Sequence, residues 1–143
     1  MIEIIYDVAT LEDSCYIEIL PDKYKDECWN TSSIYFTEEN FCYIMPTFRK
    51  CYKKFDYFSY NEIEVDTWKL ILKELEKVKN YLTNNPIPDT LKDIIGFPFT
   101  NSEKDFMEYY DTNLKQLILM IDDFQVWIEA KKISTKYITV LGM

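Results

Sequence analysis

The chain has 143 residues, 48% hydrophobic and 17% aromatic with only 2 glycines, a composition that excludes a disordered or low-complexity protein. Its 25 acidic residues against 16 basic ones leave a net charge of −9. This argues against nucleic acid as a partner, because binding would add phosphate repulsion, and in favour of a basic protein.

The length suits one domain spanning 1–143, since no stretch resembles a linker long enough to divide it. IEIIYDV at 2–8 and SCYIEIL at 14–20 are rich in β-branched and aromatic residues, and the ATLED between them predicts a β-hairpin or two adjacent strands. In the second segment Tyr16, Glu18 and Leu20 alternate with Cys15, Ile17 and Ile19, the pattern of a strand with one buried face. Pro21 and Asp22 stop it. SSIYFT at 32–37 has the composition of a third strand, reached through a polar connection that contains Trp29. Thr37 is placed to cap a helix with Glu38 and Glu39 in its first turn. Phe41, Ile44, Met45, Phe48, Tyr52 and Phe55 continue at helical spacing, and Pro46 predicts a kink or a fresh start within them.

FDYFSYNEIEVDTW at 55–68 reads as an aromatic and acidic connection, with Asp66 as the N-cap of the clearest helix in the chain. Trp68, Ile71, Leu72, Leu75, Val78 and Leu82 form its apolar stripe, and Asn84, Asn85 and Pro86 end it. PIPDTLKDIIGFPF offers one short helical turn around Thr90–Ile95. A long helix is predicted over 102–133, where Phe106, Tyr110, Leu114, Leu117, Ile121, Phe124 and Ile128 recur at steps of three and four. Its centre, LILMI at 117–121, is apolar on every side and predicts cover from several neighbours. KYITVLG at 136–142 reads as a closing strand. The expected class is α+β: a small, mostly antiparallel sheet of N-terminal strands plus the C-terminal strand, packed against three main helices.

The chemistry on offer is narrow. Histidine is absent, which removes the commonest general base and every Ser–His or Cys–His nucleophile. Glycine occurs only at 96 and 142, so neither a P-loop nor a dinucleotide fingerprint is present. Cys15, Cys28, Cys42 and Cys51 form no CxxC and read as reduced, buried thiols of a cytoplasmic protein. Glu3 and Asp7 stand where a signal peptide carries positive charge, and no apolar run approaches about 18 residues. No membrane association, cofactor, metal or catalytic residue is expected. Carboxylates keep an alternative open. Glu62, Glu64 and Asp66 share a face if extended, as an acid–base pair or divalent-ion site would need, or else form a solvated approach to a helix. The adjacent Asp122 and Asp123 diverge by about 100° on a helix and cannot jointly face one substrate. The 12 tyrosines include Tyr52, Tyr57 and Tyr60, which with Phe55 and Phe58 place aromatics beside acids as interfaces do.

KKFDYFSYNEIEVDTWKLILKELEKVK at 53–79 resembles the F-D-Y-F…T-E-I…W…I…L block of small bacterial immunity proteins, which are encoded beside polymorphic or contact-dependent inhibition toxins. The tail at 114–143 is similar to their closing helix and I-x-V-L-G-M/I ending. The matched residues, Phe55, Tyr57, Phe58, Glu62, Ile63, Trp68, Leu75, Ile138, Val140, Leu141 and Gly142, read as core and turn positions rather than a docking site. The resemblance implies a cytoplasmic antidote that neutralises one cognate toxin domain, often a nuclease.

An acidic inhibitor blocks a nuclease's basic groove by charge complementarity. Partner-binding candidates are therefore Glu12 and Asp13, Asp26 and Glu27, the acids and aromatics Asp56, Tyr57, Tyr60, Glu62 and Glu64, and Asp122 with Asp123. The expected state is a monomer or weak dimer. Two other readings stay open: a small carboxylate enzyme, which predicts acids gathered in a concave pocket, and a homo-oligomeric adaptor associating through its aromatic region.

Overall fold

The computed structural model describes residues 1–12 and 15–142. Four strands, β1 (Tyr16–Leu20), β2 (Ile34–Thr37), β3 (Tyr60–Glu64) and β4 (Tyr137–Leu141), form an antiparallel sheet in the order β2-β1-β4-β3. Helices α1 (Glu38–Cys42), α2 (Met45–Cys51), α3 (Val65–Thr83), α4 (Ser102–Glu108) and α5 (Tyr110–Lys131) complete a small α+β fold. The inner face of the sheet presents Ile17, Ile19, Ile34, Phe36, Ile63, Ile138 and Val140 to the helices, because side chains alternate along each strand.

A cluster of rings joins the two layers. Trp68 lies edge-on to Phe48 at 5.5 Å and to Phe124 at 6.0 Å, and Phe124 meets Phe36 at 5.2 Å. The indole Nε1–H of Trp68 donates to the Ile138 carbonyl at 2.9 Å, so this buried ring keeps no unsatisfied donor and ties α3 to β4. Gln125 of α5 donates to the Leu72 carbonyl and to Glu76, adding a polar contact between α3 and α5.

The predicted strand at 2–8 is not a sheet member. It touches the sheet through one bridge, in which Ile5 and Tyr35 exchange backbone hydrogen bonds of 2.8 Å, and β2 takes the expected place beside β1. Side chains occupy the backbone groups that a ladder would need. Ile2 N–H donates to Gln116 Oε1, and Asn40 Nδ2 donates to the carbonyls of Met1 and Glu3. Asp7 then caps a 3-10 turn at Val8–Thr10 and ends the extension.

Conversely, the connection before α3 contains β3. Its alternation was faint because Asn61 and Ile63 alone face inward, and Asn61 is polar. Asn61 nevertheless suits its place: its Oδ1 accepts from Asp56 N–H, and its Nδ2 donates to the carbonyls of Asp56, Ser59 and Val140. Glu64, not Asp66, holds the N-cap of α3, and Asp66 sits in the first turn paired with Lys69.

Thr37 caps α1 as expected, accepting from Asn40 N–H, and the chain restarts as α2 with Pro46 in its first turn. A 3-10 segment covers Pro88–Asp93 where one turn around Thr90–Ile95 was predicted. The long helix is broken at Tyr109 (φ −123°, ψ 50°), and Asn113 Nδ2 takes up the Phe106 carbonyl beside the break. Within LILMI, Leu117, Met120 and Ile121 are buried but Leu119 is 61% exposed, so α5 lies on the surface of the helix layer and is not enclosed.

Gly142 allows the 56–59 turn to close over the end of β4. A Cβ there would collide with the Tyr57 carbonyl oxygen and lie 2.9 Å from that of Ser59. Both obstacles are backbone and cannot swing away. Gly142→Ala is expected to lower the unfolding free energy by about 2–3 kcal/mol in urea titrations, as overpacked sites do.

Candidate functional site

The outer face of the sheet carries the candidate site. Register places Tyr35, Glu18, Leu141 and Tyr60 side by side across β2, β1, β4 and β3. Sequence alternation predicted that only one face of β1 is buried. In the structure both faces are covered, because the connection from Pro21 to Ser33 folds back as a strap over the outer one.

Glu18 is the strap's central anchor. It is 3% exposed, and its carboxylate accepts from Trp29 N–H (2.6 Å), Asn30 N–H (3.1 Å), Asn30 Nδ2 (2.9 Å) and Ser33 Oγ (2.6 Å). Four donors replace its water, which is the condition for burying a carboxylate without a cation. Further anchors lie on either side. Thr139 Oγ1 donates to the Asp22 carbonyl, Tyr24 N–H donates to Glu62 Oε2 at 2.9 Å, and the Tyr35 hydroxyl donates to the Asn30 carbonyl. Tyr24 stacks on Tyr60 at 4.5 Å, and the Lys23 ammonium sits 4.7 Å above the Tyr137 ring.

The strap contains two non-glycine residues with positive φ, Asp26 and Trp29, each at 62°. Such a conformation costs roughly 1–2 kcal/mol for a bulky residue. At Trp29 the short bond from its N–H to Glu18 offsets that cost and sets the indole against Tyr16, at 6.3 Å, with 42% of the residue exposed. Burial, reinforced by Glu18, pushes the Tyr35 phenol up to about 12. Desolvation and then Glu18 raise the Cys28 thiol, which disfavours its reactive thiolate. The Lys23 backbone N–H, helped by Lys25, holds Asp22 below the usual carboxylate range. Of the cysteines, Cys42 alone is buried as expected; Cys51 is half-buried, and Cys15 and Cys28 lie at the surface.

The predicted candidates separate into groups. Asp26 and Glu27 are exposed on the strap, Tyr60 (53% exposed) and Glu64 stand on β3, and Glu62 is half-buried under Tyr24. Glu12 is exposed nearby, its N–H donating to the hydroxyl of Tyr16, the ring that Trp29 contacts. Asp13 lies outside the described residues. The described ones among these, Glu12, Asp26, Glu27, Tyr60, Glu62 and Glu64, lie on the strap side of the sheet.

Three candidate positions do other work, and a fourth stands apart. Asp56 is exposed but structural, since its Oδ1 accepts from Phe58 N–H and its backbone is clamped by Asn61. Tyr57 turns its hydroxyl inward, where burial first and then Glu38 raise the phenol. Phe58, read as a core or turn position, is 77% exposed. Asp122 and Asp123 lie on α5, in the helix layer on the other side of the sheet. Asp122 pairs with Lys79 of α3 at 2.9 Å, while desolvation, and after it Asp123, raises the Tyr6 phenol.

Glu18, Tyr24 and Trp29 were missed as parts of the site. Only a glutamate between two isoleucines and a tryptophan in a polar connection hinted at them. A second acidic stretch, Glu103, Asp105, Glu108 and Asp111, is also exposed, beside Tyr109 and over a ring cluster in which Phe106 meets Tyr43, Phe97 and Tyr110.

Among the described residues no group of three or more cysteines or carboxylates is placed to hold a metal ion. No helix among them is long and apolar enough to cross a membrane. Comparison with family models, with curated proteins and with solved structures finds no match to this chain.

Two outcomes are expected from substitution. Glu18→Ala strands the Trp29 and Asn30 amides and should cost about 2–4 kcal/mol, with amide exchange of 22–33 rising more than that of α3. Asp122→Asn should lower stability by about 0.5–1 kcal/mol, and a double-mutant cycle with Lys79→Met should recover that coupling.

Proposed function

We propose that this chain is an immunity protein that binds and neutralises a cognate bacterial toxin domain through the strap-covered face of its sheet. One observation carries the reading: the strap and β3, far apart in sequence, bring Asp26, Glu27, Trp29, Tyr60 and Glu64 onto one surface. Exposed tyrosine and tryptophan supply contact area at low entropic cost, and surrounding acids select a positively charged partner.

The fixed backbone of the strap favours recognition further. A surface already held by Glu18 loses little freedom on binding, so more of the contact energy remains as affinity. Lys25 is paired with Asp22, whereas the carboxylates of Asp26, Glu27 and Glu64 make no ion pair among the described residues. Those three acids remain available to a partner. Blocking a basic, phosphate-binding groove is the inhibition that such a surface suits.

The test is to sequence the genes flanking this one and co-express the chain with the C-terminal domain of any toxin found there, in a host which that domain kills. Protection and a stable purified complex are expected. Replacing Glu12, Glu27 and Glu64 together by lysine should weaken the complex by about a hundredfold, mainly through slower association at low salt. Absence of both protection and complex would end the immunity reading. Unchanged affinity in the triple variant would end its electrostatic part.

A further inference from the structure

The two edges of the sheet are not alike. At the β2 edge, the segment at 2–8 covers Tyr35 by exchanging two backbone hydrogen bonds with it through Ile5. At the β3 edge no segment among the described residues does so. The direction of the β3 backbone follows from two bonds: Val65 N–H donates to the Lys136 carbonyl, and Gly142 N–H to that of Ser59. Both pairs lie in the β3–β4 register, so the odd-numbered residues of β3 exchange hydrogen bonds with β4. Tyr60, Glu62 and Glu64 therefore point their N–H groups away from the sheet, as Tyr60 and Glu62 do their carbonyls. These groups take up no hydrogen bond among the described residues.

We propose that this open edge is a β-augmentation site that pairs with an extended, basic segment of the partner protein. The side chains of Tyr60, Glu62 and Glu64 all stand on the outer face, beside the strap. An added antiparallel strand would set its own outer side chains directly next to them, within cross-strand reach. Lysine or arginine beside Glu62 and Glu64, with an aromatic or β-branched residue beside Tyr60, completes the pairing. The same charges oppose a second copy, since antiparallel self-pairing sets the glutamates of one β3 against those of the other. Strand addition supplies main-chain affinity, and the alternate side chains supply selectivity. For the charge of its occupant the inference rests on the inhibitor reading; the open edge stands on backbone geometry alone.

The probe is a capped synthetic peptide of about seven residues alternating lysine with valine or threonine, added to the whole chain and followed by NMR. Amide exchange of Tyr60, Glu62 and Glu64 should slow by about tenfold at saturation, with no slowing from a peptide whose lysines are replaced by glutamate. Glu64→Pro removes one outward N–H. Glu64 already has a φ of −65°, which proline adopts, and its side chain makes no capping bond, so the fold should be kept. It should bind the peptide about three- to tenfold more weakly than Glu64→Gln, which removes the charge but keeps the donor. Equal binding by the two variants, or peptide binding without slowed exchange at these amides, overturns the proposal. Slowing that follows protein concentration without peptide assigns the edge to a second copy and also overturns it. Because no toxin is used, these outcomes are independent of the protection assay, and either idea can fail alone.

Discussion

A single carboxylate organises the face on which this account turns. Moving an ionised glutamate out of water costs several kcal/mol unless donors replace its hydration. Glu18 meets that demand with two backbone amides, a side-chain amide and a hydroxyl, all drawn from one short stretch of the strap. Satisfying the charge therefore dictates the path of the strap. It bends Trp29 into a left-handed conformation, carries Asp26 and Glu27 outward, and leaves Tyr24 to lie on Tyr60. With an apolar residue at position 18 the strap would lose the reason for its shape.

The distribution of ion pairs separates the two sides of the molecule. Six of the seven described pairs lie in the helix layer, where lysines of α2 and α3, and Lys132 at the end of α5, neutralise neighbouring acids. There Lys50 and Lys77 hold Glu74, and Gln125 and Lys79 hold Glu76, below the usual carboxylate range. The open groove between α3 and α5, about 580 Å³ in volume, is lined by lysines and acids in alternation and offers no dominant sign. On the outer face one such pair is described, and exposed acids mingle with rings. That contrast directs the functional reading to the sheet and away from the helices.

Much of the architecture was legible in the sequence wherever apolar periodicity is strong. The stripe of α3 from Trp68 to Leu82 and the closing strand follow from patterns that burial enforces, and the Thr37 cap from a hydroxyl placed to accept a free helix N–H. Legibility failed where polar side chains substitute for backbone partners. Gln116 and Asn40 hold 2–8 without a ladder, Asn61 permits a strand with one apolar inward residue, and Asn113 accompanies a break in an otherwise regular helix. The candidate site was half legible for the same reason. Composition identified acids and tyrosines in the right segments. The long-range bonds from Tyr24 to Glu62 and from the strap to Glu18, which decide which of them share a surface, carry no local signature. Asp122 and Asp123 fitted the composition equally well, and topology places them in the helix layer.

The central claim is that a positively charged partner is gripped on the strap and β3. Hydrogen–deuterium exchange of the chain, alone and in complex with a toxin domain of the kind the proposed function requires, tests it most directly. The account predicts protection concentrated at 22–30 and 60–64, with 102–111 and 119–130 unchanged. Protection confined to the acidic stretch at 102–111 or to the α3–α5 groove, with the strap unaffected, would contradict it.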